Sequence, residues 1–274
     1  MPTIHENISV WDHSYDWTSA GEEWSIEWGG SYMQWHGTIL PRIRAFLPAH
    51  TILEISPGFG RWTDFLKDNC TNLIVVDLAE KCIKACKERF ATCSHITYFV
   101  NDGESLDMIP DNAIDLIFSF DSLVHVEDKV MSAYISQFPR KLKQNGVAFI
   151  HHSNLGEYSN YFKMLLKISR FPRLLGILIR YGVLDNVLIQ GRDASMTARK
   201  MRIYAEENGL QCISQELINW NSKHALIDCM SIVVQKGSIW SRDNRVLRND
   251  SFMREAKNLS NLSRLYDLQM YNRS

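Results

Sequence analysis

The stretch Thr51-Ile-Leu-Glu-Ile-Ser-Pro-Gly-Phe-Gly60 decides the fold. Its first half is a short apolar run typical of a buried β-strand, and Pro57, Gly58 and Gly60 end that run in a tight turn. Residues 61–67 then have the pattern of a helix. The sequence therefore predicts a strand that passes through a glycine-rich turn into a helix, which is the repeating unit of an α/β fold.

The same alternation continues along the chain to residue 152. After the first strand, strands are predicted at 73–77, 95–100, 114–119 and 147–152, and helices at 38–47, 61–67, 79–90 and 128–142. A turn is predicted at Gln144-Asn-Gly146. Because alternating strands and helices form parallel sheets with right-handed crossovers, we expect a doubly wound, mostly parallel α/β sheet with helices on both faces.

Three segments lie outside this alternation. Residues 1–37 are rich in tryptophan and tyrosine and predict an aromatic cap, whose rings pack over the sheet edge with one or two facing a ligand. Residues 155–196 predict a helical insertion that could cover a substrate. Residues 238–274 predict a tail that ends in a helix at 251–271.

The core resumes after the insertion. A helix is predicted at 197–208, and strands are predicted at 211–220 and 228–235. Because no helix lies between these two strands, they would form an antiparallel hairpin at the sheet edge. The core domain is therefore predicted to span residues 38–237.

The composition is typical of a soluble globular protein, with 45% hydrophobic and 22% charged side chains over 274 residues. The net charge of −1 argues against a protein that binds nucleic acid or an anionic membrane by bulk charge. The first residues lack the basic and apolar regions of a secretory signal, and no apolar stretch is long enough to span a bilayer. We therefore predict a cytoplasmic protein with no nucleic-acid partner and no stable membrane insertion.

In an open parallel sheet, ligands bind beyond the carboxyl ends of the strands. There the glycines of the first turn let the backbone approach a ligand, and Asp77 at the end of the second strand can accept both hydroxyls of a ribose. The full dinucleotide fingerprint is absent, because Ser56 and Thr63 stand where its first and third glycines would be. Glu54 and Asp102 add negative charge that favours a cationic ligand over a pyrophosphate. These residues predict a positively charged nucleoside.

Together these features resemble the class I S-adenosylmethionine-dependent methyltransferase family. The resemblance is carried by Glu54 with its glycine turn, by the ribose acid Asp77 and by Asp102. The segment 114–121 is similar to the family's fourth motif, and 146–150 is similar to the start of its fifth strand.

The resemblance covers residues 38–153 and, more loosely, residues 197–236. It implies S-adenosylmethionine as the cofactor and a Rossmann-like sheet of seven strands, the last of them antiparallel. The cofactor-binding residues that it implies are Glu54, Ser56, Gly58, Gly60, Asp77, Leu78, Asp102, Gly103 and Phe120.

Methyl transfer to a hydroxyl requires a base near the methyl group. His151 and His152 follow the fifth strand, where side chains alternate, so that one of the two rings should point into the crevice. We expect one of them to be the base and Asp121 to orient it, with His125 from the loop after the fourth strand as a further candidate. These side chains lack the spacing of a metal site, so no metal is predicted.

The sequence leaves the methyl acceptor open. Tryptophans beside acids suit the faces and hydroxyls of a sugar, which makes a sugar or glycan hydroxyl the preferred acceptor. The alternatives are a carboxylate, an amine or a phenol of a natural product or peptide. A non-catalytic S-adenosylmethionine-binding protein and a nicotinamide-dependent oxidoreductase are rival functions. The insertion, with Arg170, Arg173 and Arg180, could hold an anionic substrate, form a homodimer interface or lie on a membrane surface.

Overall fold

The structure is a computed structural model that describes residues 3–181, 183–184, 191–223 and 225–266. One sheet forms its centre. Its strands are β1 (Ala49–Ile55), β2 (Cys70–Asp77), β3 (Ile96–Val100), β4 (Ile114–Ser119), β5 (Leu142–Ser153), β6 (Leu210–Ile218), β7 (Asp228–Gln235) and β8 (Arg245–Asn249). They lie side by side in the order β3-β2-β1-β4-β5-β7-β6-β8.

Strands β1 to β5 run parallel, and β7 lies antiparallel between β5 and β6. The mostly parallel α/β sheet is thus confirmed. Two expectations are corrected: the sheet has eight strands rather than seven, and the β6–β7 hairpin is not at the edge, because β8 pairs in parallel with β6. The sequence of β8, Arg-Val-Leu-Arg-Asn, is almost wholly exposed and so lacks the apolar run that identifies a buried strand.

Ten α-helices are described, and most agree with the predicted segments. They are α1 (Ile4–Ile8), α2 (Ser31–Gln34), α3 (Leu40–Ile43), α4 (Thr63–Leu66), α5 (Glu80–Arg89), α6 (Asp128–Lys141), α7 (Ser159–Ile168), α8 (Pro172–Arg180), α9 (Ala198–Glu207) and α10 (Phe252–Tyr266). The predicted helix over 38–47 is built from α3 and the helical turns Trp35–Ile39 and Arg44–Phe46. Residues 185–190 of the predicted insertion and 267–271 of the predicted tail helix lie outside the described residues.

The turn predicted at Gln144-Asn-Gly146 is wrong, since these residues belong to β5. The register between β4 and β5 shifts at this point, between Ile114 and Leu116. A Cβ on Gly146 would lie 2.7 Å from the carbonyl oxygen of Ile114. The glycine therefore permits a close approach within an irregular strand pair, rather than a reversal of the chain.

Side chains of the central strands alternate between two hydrophobic layers. In β1, Ile52 belongs to one layer, whereas Leu53 and Ile55 belong to the other. On the second face, α6 contributes a stripe of buried residues at helical spacing, Val130, Met131, Tyr134, Ile135 and Phe138. The sheet is therefore covered on both sides, and its polar groups can meet a ligand only at the strand ends.

Residues 3–25 lie over the carboxyl edge of the sheet, and α10 packs against residues 22–34. Trp28 and Trp35 are buried in the core. The Trp28 ring lies 5.8 Å from the ring of Phe252 in α10, and Gly29 and Gly37 lie against Ser263 and Leu259 of the same helix. The aromatic segment is thus held in place by the last described helix of the chain.

In the part of the chain that the structure describes, no helix has both the length and the apolar character needed to cross a membrane.

Candidate active site

A pocket of about 640 Å³, open on one side to solvent, lies at the carboxyl ends of β1, β2 and β4. Residues 3–25 form its roof. Its wall consists of Asn7, Trp11, Trp17, Ala20, Trp24, Ser56, Pro57, Gly58, Phe59, Arg61, Trp62, Asp77, Leu78, Cys82, Phe120, Asp121, Ser122, His125 and Val126. Seven of the sequence-predicted site residues are among them: Ser56, Gly58, Asp77, Leu78, Phe120, Asp121 and His125.

The glycine turn after β1 forms one side of the pocket. Gly58 has φ +59°, a conformation that glycine adopts without strain, and a Cβ there would lie 2.8 Å from the Trp17 ring. Ser56 also has a positive φ, and its carbonyl oxygen accepts a hydrogen bond from the Ser122 hydroxyl at 2.7 Å. The turn is therefore held by the loop after β4 on one side and by the Trp17 ring on the other.

Asp77 faces the pocket from the end of β2. Its two carboxylate oxygens each accept one backbone N–H bond, from Gly58 at 3.2 Å and from Ala79 at 2.9 Å. Burial raises the pKa of Asp77 to about 6, although these N–H donors oppose the shift. Asp77 is therefore mostly ionised at neutral pH, and each oxygen keeps a lone pair for a further donor.

Glu54 does not line the pocket. It is buried beneath the turn, where Oε2 accepts a 2.6 Å hydrogen bond from the Thr63 hydroxyl and Oε1 has no hydrogen-bond partner among the described residues. Burial raises the pKa of Glu54 to about 8, so that the carboxyl is mainly protonated at neutral pH. The expectation that Glu54 adds negative charge for a cationic ligand is therefore not supported.

Three further predicted contacts lie outside the pocket wall. Gly60 has φ +82° and lies against Phe90 of the α5 region, so it serves the packing of that helix. Asp102 is exposed and accepts the N–H groups of Glu104 and Ser105, and Gly103 lies under Ile4 of α1.

The roof is aromatic. Trp17 stacks on Phe59 with ring centroids 4.5 Å apart, and Trp11 and Trp24 contact Trp17 at 6.1 and 5.5 Å. The sequence predicts that most rings near the start of the chain pack on the core and that one or two face a ligand. In the structure these rings form two groups. Trp11, Trp17 and Trp24 line the pocket, whereas Trp28 and Trp35 belong to the core.

Arg61 connects the roof to the floor. Its guanidinium lies between the rings of Trp24, at 5.2 Å, and Trp62, at 4.4 Å. It donates to the Asp121 carboxylate at 2.8 Å and to the Ser25 hydroxyl at 2.9 Å. Buried guanidinium groups require such partners, so this arrangement locks the roof onto the loop after β4.

A second buried ionic cluster lies behind Asp121. Arg192 forms an ion pair with Asp228 at 2.9 Å and lies 3.8 Å from the other oxygen of Asp121. Burial acts to raise the pKa of Asp228, but the Arg192 charge and the His151 ring outweigh it and hold the pKa at about 2. Asp121 itself has φ +61° and donates its backbone N–H to Nδ1 of His151 at 3.0 Å. These contacts hold Asp121 in its left-handed conformation.

The expectation that His151 or His152 points into the crevice is not met, because both rings are fully buried and neither lines the pocket. Nδ1 of His151 accepts the Asp121 N–H, and its Nε2 lies 3.3 Å from Asp228 without hydrogen-bond alignment. His152 donates from Nδ1 to the Ser153 carbonyl and accepts at Nε2 from the Ser231 hydroxyl. Burial lowers the pKa of His152 to about 4. Neither ring reaches the crevice because His151 and His152 belong to β5, an internal strand whose two faces are both covered.

His125 is the histidine that the structure brings to the pocket. Its Nδ1 lies 2.9 Å from the carbonyl oxygen of Gly191, which can only accept, so Nδ1 carries the proton and Nε2 has a lone pair. Burial lowers the pKa of His125, and Arg192 adds to that effect. At neutral pH the ring is therefore neutral and able to accept a proton at Nε2.

Sequence reasoning missed Asn7, Arg61, Arg192 and Asp228. Asn7 in α1 donates to the His125 carbonyl oxygen at 3.3 Å and accepts from the Trp11 indole. The one local signal was Arg61, a cation directly after the glycine turn in an otherwise acidic set of strand ends. Among the residues described, no three His, Cys, Asp or Glu side chains lie close enough to hold a metal ion.

Part of the chain is similar to a known family and to characterised proteins. The family described as "Methyltransferase domain" matches residues 52–146. The chain is similar to phosphoethanolamine N-methyltransferase 1 of Triticum aestivum, with 30% identity over 118 residues, 41% of this chain and 24% of that protein. It is also similar to phosphoethanolamine N-methyltransferase 1 of Caenorhabditis elegans, with 28% identity over 102 residues, 37% of this chain and 21% of that protein. The chain thus spans about a quarter of the length of the curated relatives that it matches.

Two solved structures share the fold. The PH0226 protein of Pyrococcus horikoshii OT3 superposes with a TM-score of 0.52 at 16% identity, over 74% of this chain and 91% of that protein. An SAM-dependent methyltransferase of Methanosarcina mazei superposes with a TM-score of 0.52 at 14% identity, over 71% of this chain and 97% of that protein. At these identities the likeness establishes the fold of the domain.

Proposed function

The chain contains a class I S-adenosylmethionine-dependent methyltransferase domain, and from this premise we propose that it transfers a methyl group from S-adenosylmethionine to the nitrogen of a small amine. One observation carries the proposal: a single pocket is lined by the glycine turn, by Asp77 and by His125, under a roof of indole rings. The curated relatives are named as N-methyltransferases, which favours nitrogen over the sugar hydroxyl that the sequence alone made the preferred acceptor.

The residues of the pocket fit the cofactor. Gly58 lets its turn pack directly against the Trp17 ring of the roof, and Asp77 keeps a lone pair on each oxygen for ribose hydroxyls. Gly58, Asp77, Leu78 and Phe120 would hold the cofactor, which supplies a methyl group activated by a positively charged sulfur. Because Asp77 is ionised at neutral pH, it also favours a cationic ligand.

An amine is protonated at neutral pH and must lose a proton before its nitrogen can attack. Nε2 of His125 is the acceptor for that proton, since Gly191 fixes the tautomer and the lowered pKa keeps the ring neutral. The loop after β4 positions the ring, with Asn7 of the roof bonded to its backbone carbonyl. The bound amine would thus be deprotonated in place, close to the wall that holds the cofactor.

The charge of the pocket wall favours an amine over an anionic acceptor. Among the described lining residues, Arg61 is the sole Arg or Lys, and its guanidinium is already bonded to Asp121. The indoles of Trp11 and Trp24 present π faces and edges that attract ammonium groups before deprotonation. A substrate that carries a phosphate would find its charge uncompensated at this wall, so we propose an amine without one.

The test uses the purified chain with S-adenosylmethionine labelled in the methyl group and a panel of ethanolamine, its N-methylated forms, phosphoethanolamine and a set of sugars. Label is expected in the amines. Transfer to sugars alone would overturn the proposal that the methyl acceptor is a nitrogen. Efficient transfer to phosphoethanolamine would overturn the proposal that the amine carries no phosphate. Cofactor binding without transfer to any acceptor would favour a non-catalytic binder.

His125→Gln tests the role of the base. Glutamine keeps a donor for Gly191 but cannot accept the proton, so turnover should fall by about 100-fold or more while S-adenosylmethionine affinity, measured by calorimetry, stays within about twofold. His13→Gln, at an exposed histidine of the roof segment, is the matched control and should leave turnover unchanged. Equal loss of turnover in both variants would remove His125 from the reaction.

A further inference from the structure

The helical hairpin of residues 159–181, formed by α7 and α8, carries a surface that the pocket does not use. On α8, Phe171, Leu174, Ile177 and Tyr181 are exposed and recur at spacings of three, three and four, which places them along one stripe. Exposed fractions of 64% for Phe171, 53% for Ile177 and 78% for Tyr181 are far above those of core side chains. The adjacent side of α8, with Leu175, Leu178 and Ile179, packs on the core.

The same hairpin is strongly basic. Between residues 158 and 184 the sequence contains five basic residues and no acidic residue, in a chain whose net charge is −1. Lys163, Lys167, Arg170, Arg173 and Arg180 are all exposed. None of the five forms an ion pair with any residue that the structure describes. Arg173 and Arg180, seven residues apart, lie on one line beside the apolar stripe.

An exposed apolar stripe bordered by exposed cations fits one kind of surface best. A second copy of this chain would bring like charges together, which disfavours a symmetric contact through this face. An anionic lipid surface offers both partners at once, since acyl chains accept the apolar side chains and headgroups neutralise the basic ones. Helices of 10 and 9 residues are too short to span a bilayer but long enough to lie in its interface.

We propose that the α7–α8 hairpin docks the protein on an anionic membrane surface, with Phe171, Leu174, Ile177 and Tyr181 inserted at the headgroup level and the basic residues on lipid headgroups. This docking is reversible and depends on salt, because its electrostatic part is screened by ions. It does not rest on the proposed amine acceptor, since no residue of the stripe lines the pocket.

Flotation of the intact chain with lipid vesicles tests the proposal. Vesicles of phosphatidylcholine with an equal part of phosphatidylserine should bind the protein at low salt, whereas vesicles of phosphatidylcholine alone should bind it much more weakly. The triple variant R170Q/R173Q/R180Q should lower the partition coefficient by about 100-fold. The control K81Q/K84Q/K87Q, which removes as many exposed cations from α5, should lower it by less than about threefold.

A second variant, F171S/I177S, tests the apolar part and should weaken binding at both low and high salt. Circular dichroism checks that each variant is folded, and all the substituted side chains are exposed. Equal binding to neutral and anionic vesicles, or binding that the triple arginine variant leaves intact, would overturn the proposal. So would a dimer in solution, seen by sedimentation velocity, that F171S/I177S dissociates.

Discussion

Substitution of Gly58 by alanine separates two physical requirements of the glycine turn. At φ +59° an alanine bears a backbone strain of about 1–2 kcal/mol. Its Cβ would also lie 2.8 Å from the Trp17 ring, which is itself stacked on Phe59, so the roof must shift at a further cost of about 1–3 kcal/mol. We therefore expect Gly58→Ala to lower the free energy of unfolding by about 2–5 kcal/mol.

Two other glycines supply the controls. Gly209 has φ +78°, but a Cβ added there would have no neighbouring atom within 4 Å, so Gly209→Ala should show the strain alone, about 1–2 kcal/mol. Gly176 lies within α8 with neither a positive φ nor a close neighbour, so Gly176→Ala should be neutral or stabilising by up to about 1 kcal/mol. The comparison isolates the clash at Gly58.

Urea unfolding measures the three stabilities, and calorimetry with S-adenosylmethionine measures binding. Binding should weaken in Gly58→Ala and remain unchanged in the two controls. In a double-mutant cycle with Trp17→Leu, the penalty of Gly58→Ala should fall towards that of Gly209→Ala, because the smaller side chain leaves room. If Gly58→Ala is as stable as Gly209→Ala and binds the cofactor as tightly as the natural sequence, the described contact between roof and turn is wrong.

Two further expectations follow from buried carboxyl groups. Burial raises the pKa of Glu54 to about 8, so the folded state holds this proton more tightly than the unfolded chain does and loses stability as the pH rises from about 4.5 to 8. Glu54→Gln should abolish this loss, on the order of 4 kcal/mol, in unfolding curves measured across that range, and an unchanged pH dependence would contradict it. The pKa of Asp228 is lowered to about 2, so its contribution is present above about pH 4 and is lost as the pH falls towards 2. Asp228→Asn should destabilise the protein at neutral pH by about 3–5 kcal/mol, because it leaves Arg192 buried with one charged partner fewer, whereas Asp243→Asn at an exposed site should have no measurable effect.

The sequence predicted those strands and turns that depend on neighbouring residues. The strand and turn at residues 51–60 and the place of Asp77 at the end of β2 were predicted because apolar runs, glycines and a strand-terminal acid are adjacent in sequence. The residues that line the pocket were harder to predict from the sequence. His151 and His152 follow the right strand, but which strands are covered on both faces depends on the order of the whole sheet. That order makes β5 internal and leaves the loop of His125 at the pocket.

Contacts between residues that are far apart in the chain could not be predicted from the sequence. Asp228 and Arg192 are 36 positions apart, and Arg61 and Asp121 are 60 apart. Nothing in the neighbourhood of any of these residues indicates its partner. The strand β8 was missed for a related reason, since its side chains are exposed and its place in the sheet is set by pairing with β6.

The support of Trp28 by Phe252 has a consequence for synthesis of the protein. Phe252 follows Trp28 by 224 residues, so this contact can form only after α10 has been synthesised. Until then, Gly29 and Gly37 lack the side chains of Ser263 and Leu259 that lie against them. The packing of α10 on residues 22–34 therefore belongs to a late stage of folding, after the eight strands of the sheet have been synthesised.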